Sequence, residues 1–116
     1  MMSTSRDFIL NETFLTSGSN FIEYRIKLCC SKSIVLPAQK TCVLQTNCET
    51  NLSSHLNILI KPFEHLHGMM MQNEGYIDYT YKGRIDLVYK NVTSDTIEIK
   101  SGEPIGYLIV SHFMIL

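Results

Sequence analysis

A chain of 116 residues with 45% hydrophobic and 18% charged residues falls in the ordinary globular range and outside the disordered one. Its length predicts one domain, residues 1–116 with a core over about 21–110, that buries roughly two-thirds of its unfolded surface. A formal net charge of −1 offers no basic field to gather phosphates, which excludes general nucleic-acid binding.

In chain order, Phe8-Ile9-Leu10 is too short for a signal-peptide core, and no apolar run is long enough to cross a bilayer. An intracellular, soluble protein without a membrane partner is expected. From Phe21 to Leu28, Ile22, Tyr24, Ile26 and Leu28 alternate with Glu23, Arg25 and Lys27, the period-two pattern of a half-buried strand. Ile34-Val35-Leu36 is a short strand stopped by Pro37, which cannot donate to a ladder. Thr41 to Thr46 and Leu56 to Ile60 are further β-prone runs, separated by an expected polar loop from Asn47 to Ser54. Ile85 to Tyr89, Thr96 to Lys100 and Ile105 to Val110 complete the set, punctuated by the turn formers Asn91 to Asp95 and Ser101-Gly102-Glu103-Pro104. Short strands at turn-marked intervals, with no amphipathic helix, predict an all-β fold of the sandwich or distorted-barrel kind with mostly antiparallel strands.

Several residue groups invite a sharper reading than the pattern supports. Cys29 and Cys30 are adjacent, and Cys42 and Cys48 show no zinc-type or CxxC spacing, so free thiols in a reducing compartment are expected. His65 and His67 would share one face of a strand, but no spacing nominates Glu64 or His55 as a third ligand, and no metal site is predicted. Met69-Met70-Met71 reads as adaptable packing. The glycosylation sequons at Asn11, Asn51 and Asn91 are taken as chance matches. Tyr76, Tyr79 and Tyr81 are expected to pack across strands in preference to stacking a base.

The stretch Gly75-Tyr76-Ile77-Asp78-Tyr79-Thr80-Tyr81-Lys82-Gly83, followed by a strand from Ile85, resembles the third motif of the dUTPase family. Ile99-Lys100-Ser101-Gly102-Glu103-Pro104-Ile105-Gly106-Tyr107-Leu108-Ile109 resembles its fourth block, and Ile34 to Gln39 its strand ending at a proline turn. The likeness runs over Phe21 to Val110. It implies the dUTPase-like β-clip fold, and the related dCTP deaminases share the aspartate-bearing block. In such proteins the aspartate deprotonates the water that attacks the α-phosphorus and the tyrosine packs on the deoxyribose. Those roles would fall on Asp78 and Tyr81.

Other parts of the family pattern are altered. The first motif's aspartate, close to magnesium, has only Glu23 as an approximate substitute. The phosphate-gripping arginine-serine-glycine corresponds to Lys61-Pro62-Phe63: lysine lacks the bidentate fork, proline lacks the N–H, and phenylalanine fills the space a glycine leaves open. The glycine-rich fifth motif has no counterpart in Ser111 to Leu116. The expectation is therefore a non-catalytic protein of this fold, viral in type, acting as a structural or interaction module without a cofactor, with Asp78 capping its turn. Non-enzymatic relatives by fold include a baculoviral telokin-like protein and a dUTPase-derived adenoviral early protein. The alternative is a divergent dUTP pyrophosphatase using Asp78, Tyr81, Lys61 and Mg2+.

The resemblance also implies self-association, as a homotrimer, alongside an unidentified protein partner. Met114-Ile115-Leu116, apolar at alternate positions with a free carboxylate, has the form of a strand added to a PDZ-type groove. The plainer reading is the end of the last strand.

Overall fold

The computed structural model describes residues 8–9, 13–17, 22–51, 56–77 and 81–112. Asp78 and the Met114-Ile115-Leu116 tail lie outside them, as does the side chain of Glu23. All regular structure among the described residues is strand: β1 (Phe8–Ile9), β2 (Thr13–Ser17), β3 (Ile22–Cys29), β4 (Ile34–Leu36), β5 (Thr41–Asn51), β6 (Leu56–Pro62), β7 (Met69–Met71), β8 (Gly75–Ile77), β9 (Lys82–Asn91), β10 (Ile97–Ile99) and β11 (Pro104–His112). Neighbours run in the order β1-β5-β9-β7 in one sheet, β2-β3-β11-β6-β8 in a second, and β10-β4 in a small third. Every pairing is antiparallel, as the alternating sequence requires.

The core lies between the two larger sheets. It is built from the inward members of each alternation: Ile26 and Leu28 of β3, Leu44 of β5, Ile58 and Ile60 of β6, Leu87 and Tyr89 of β9, and Leu108 and Val110 of β11. Each such aliphatic side chain contributes roughly 1.5–3 kcal/mol by leaving water. The outward members are Arg25 and Lys27, Lys61, and Tyr107, so the same period that fills the core also loads one outer face with cations and an aromatic ring.

Two polar anchors fix the strand ends. Asn91 is fully buried, and its amide donates to the carbonyls of Leu36 (2.9 Å) and Asp95 (2.8 Å). Its side-chain oxygen accepts from the Thr93 N–H (2.9 Å) and the Thr93 hydroxyl (2.7 Å), so the sequon asparagine is committed to the fold. In β11 the register slips between Pro104 and Gly106, and the Ile105 carbonyl there accepts the Tyr89 hydroxyl at 2.5 Å.

The strand limits differ from expectation where polar residues find partners. The segment from Asn47, expected as a loop to Ser54, continues β5 to Asn51. Its inward threonines are buried but satisfied: the Thr46 hydroxyl donates to the Ile85 carbonyl at 2.6 Å and accepts from the Cys48 N–H, and the Thr50 hydroxyl donates to the Tyr81 carbonyl at 3.0 Å. His65 and His67 do not occupy a strand. They sit in a turn closed by Leu66 N–H to Phe63 carbonyl at 3.2 Å, so the shared-face geometry for a metal does not arise. Met69 to Met71 form β7, with Met69 and Met71 packed on the core and Met70 turned outward, 58% exposed.

Candidate functional site

The segment before β8 and the start of β9 frame an open cleft of about 230 Å³ lined by Ile60, Asn73, Ile77, Tyr81, Arg84, Ile85 and Asp86. Its floor is apolar because Ile60 and Ile85 are core residues, and its rim is polar. Ile77 and Tyr81 flank residues 78–80, so both described neighbours of Asp78 line the same cleft.

Tyr81 is pinned in two ways: its hydroxyl donates to the Arg84 carbonyl at 2.6 Å, and its own carbonyl accepts from Thr50 at 3.0 Å. The turn into β9 is made by Gly83 at φ +136°, a conformation other residues rarely adopt. Opposite, Asn73 works as a substitute strand residue: its amide donates to the Asp86 carbonyl and its oxygen accepts from the Val88 N–H, both at 3.0 Å. Arg84 reaches Gln45 at 3.2 Å. The cleft thus offers an apolar floor, a fixed aromatic ring and exposed hydrogen-bonding groups, the makings of a small pocket for a planar polar ligand.

Lys61 is one residue beyond Ile60 on β6 and points to the other face, as strand alternation dictates. There its ammonium contacts the Glu74 carboxylate at 2.8 Å, and this hydrogen bond and charge hold the lysine above its ordinary pKa. Tyr107 pairs with Lys27 on one side and Lys61 on the other, and the Arg25 guanidinium stacks 3.9 Å from the Tyr107 ring centre. A smaller cleft is lined by Arg25, Lys27, Phe63 and Tyr107. Phe63 lies edge-on to His65 with ring centres 5.4 Å apart.

Of the predicted site residues, Tyr81 is in the cleft and Lys61 is on the opposite face of β6. Tyr76 is 76% exposed on β8, contrary to the cross-strand packing expected of it. None of the four cysteines is in a disulfide; Cys29, Cys30 and Cys48 are buried and Cys42 is half-buried. Burial pushes the Cys48 thiol up to about 12 and raises that of Cys30, so neither is an activated nucleophile. Sequence reasoning missed Asn73, Arg84, Glu74, Arg25 and Tyr107. The alternation of β3 and β11 carried the signal for Arg25 and Tyr107, but nothing in the sequence announces the pairing of residue 61 with residue 74.

A sequence profile of the family described as dUTPase matches residues 26–115. Among curated proteins, the deoxyuridine 5'-triphosphate nucleotidohydrolase of Wolinella succinogenes is 27% identical over 92 residues, 76% of this chain, and the chain spans only 62% of that relative's length. Among solved structures, the native dUTPase of EIAV is similar with a TM-score of 0.67 at 16% identity, covering 95% of this chain and 91% of the other. The dUTPase of Streptococcus mutans gives 0.71 at 16% identity, covering 96% and 98%. That of phage phi11 of S. aureus gives 0.70 at 12%, covering 92% and 86%. At these identities the structural likeness is one of fold.

Proposed function

Because the chain belongs to the dUTPase family, we propose that it binds deoxyuridine nucleotides and is a divergent dUTP nucleotidohydrolase. The observation that carries this reading is the cleft in which the fixed ring of Tyr81 and the side chain of Ile77, the two neighbours of the 78–80 segment, face apolar Ile60 and Ile85. In this mechanism Asp78 takes a proton from water as the water oxygen bonds to the α-phosphorus. The bond from that phosphorus to the bridging oxygen breaks, and pyrophosphate leaves with the electron pair. Tyr81 carries the deoxyribose, and Lys61 meets the phosphates as a point charge.

Magnesium usually arrives on phosphates with one or two protein carboxylates. Among the described residues no three His, Cys, Asp or Glu side chains are grouped to bind a metal without such phosphates, and Glu74 is engaged by Lys61.

Self-association belongs to the same reading. Ile60 lines the cleft while Lys61 faces away from it, so a nucleotide using both a cleft and a lysine draws them from two copies. Sedimentation of the full chain at micromolar concentration tests this, and a single-chain mass alone opposes it. An intracellular, reducing setting fits four cysteines outside any disulfide.

A second reading, the non-catalytic module, is favoured by Pro62 and Phe63 at the phosphate-gripping position and by the Lys61–Glu74 ion pair. One assay separates the two: pyrophosphate release from dUTP by the full chain. Turnover that falls about 10²–10⁴-fold in Asp78→Asn, the span of a positioned general base, supports the enzyme. A chain that binds the nucleotide without turnover supports the module.

A further inference from the structure

Lys61 and Lys27 flank Tyr107 on neighbouring strands, roughly 10 Å apart at two strand spacings, and Arg25 lies over the same ring at 3.9 Å. This is a cationic face on a chain whose net charge is −1, and the carboxylate of Glu74 is built into it. Ile60 pairs with Gly75, so continuing that antiparallel register by one residue sets Glu74 directly across from Lys61. Their contact at 2.8 Å is a cross-strand pair, in which opposite charges attract and a further anion is repelled. Both side chains stay open to solvent, 35% and 46% exposed, so a ligand can reach them.

An anionic group approaching Lys61 must displace the Glu74 carboxylate or share the ammonium with it. The penalty grows with the charge of the ligand: absent for a nucleoside, and largest for a triphosphate. We infer that Glu74 is a specificity-determining residue of the proposed nucleotide site, one that grades ligands by phosphate charge through competition for Lys61. The inference rests on the nucleotide reading above. A Glu74 that merely positioned Lys61 for the ligand would act with the opposite sign.

Titration calorimetry on the full chain decides between them, using deoxyuridine, dUMP and a non-hydrolysable imido analogue of dUTP. Glu74→Gln is expected to bind the triphosphate analogue about two- to fivefold more tightly, the scale of an exposed ion pair. Deoxyuridine affinity stays unchanged, dUMP falls between the two, and the gain vanishes in a Lys61→Met background. Equal or weaker binding of the analogue by Glu74→Gln, or the same gain for deoxyuridine, overturns the role of Glu74 alone. Failure of wild type and variant to bind any of the three ligands overturns the nucleotide reading and this inference with it.

Discussion

Replacing Tyr89 with phenylalanine isolates one buried hydroxyl. Tyr89 is 0% exposed, and its hydroxyl donates at 2.5 Å to the Ile105 carbonyl, at the point where β11 slips in register against β3. The variant keeps the ring and strips this carbonyl of the bond, and a buried acceptor left unsatisfied costs about 1–3 kcal/mol. The phenol also titrates differently in the two states. Burial pushes it up to about 12 in the folded chain, against about 10 when unfolded. A raised acid contributes stability that is complete below the unfolded value and is lost as pH rises through the folded one. The loss is about 1.4 kcal/mol at about pH 11 and approaches twice that above about pH 12. Urea unfolding followed by circular dichroism should therefore show Tyr89→Phe less stable near neutrality, with the gap to wild type narrowing by about 1.4 kcal/mol near pH 11. A variant as stable as wild type at neutral pH, or a gap independent of alkaline pH, refutes the reasoning.

Asn91→Ala removes four hydrogen bonds at once and takes a buried donor from the Leu36 carbonyl, while the Asp95 carbonyl keeps the Thr93 hydroxyl. A loss of about 2–4 kcal/mol in urea unfolding is expected, and a loss under about 0.5 kcal/mol contradicts the hub role. Gly106→Ala places a Cβ 2.8 Å from Leu87 Cδ1 and 3.0 Å from the Lys61 carbonyl. The leucine can turn aside but the β6 backbone cannot, so about 1–3 kcal/mol of overpacking should appear as a lower thermal midpoint. An unchanged midpoint would mean that β6 and β11 separate more easily than their pairing suggests.

How much of this was legible in the sequence depends on what held each element. β3, β9 and β11 carry long alternations and burial on a single face, and period two alone locates them. The far end of β5 was not legible because Thr50 looks like a loop residue until its carbonyl partner on Tyr81 is known. β7 has three identical residues and no alternation to read. Around the cleft, Tyr81 stood out through its motif, whereas Asn73 functions by imitating a backbone edge of β9, a role with no sequence pattern of its own. The cations of the outer face were visible as the polar half of β3, but they read as solvated residues until Tyr107 was seen between Lys27 and Lys61.

The same placement bears on how much catalysis the chain can supply. Enzymes accelerate their reactions by roughly 10⁶-fold or more, and a general base accounts for about 10²–10⁴ of that. The remainder must come from holding the phosphates in line and stabilising the charge that develops on them. Lys61 offers a point charge without a fork, and that charge is already shared with Glu74. Pro62 donates no backbone hydrogen bond, and Phe63 lines the space beside Arg25, Lys27 and Tyr107. Arg25 is itself committed to the Tyr107 ring. On the proposed nucleotide reading, binding of the base and sugar would survive in the cleft while the transition-state share of the work is reduced. Turnover limited at the phosphate end rather than at the uracil end is the signature that reading predicts.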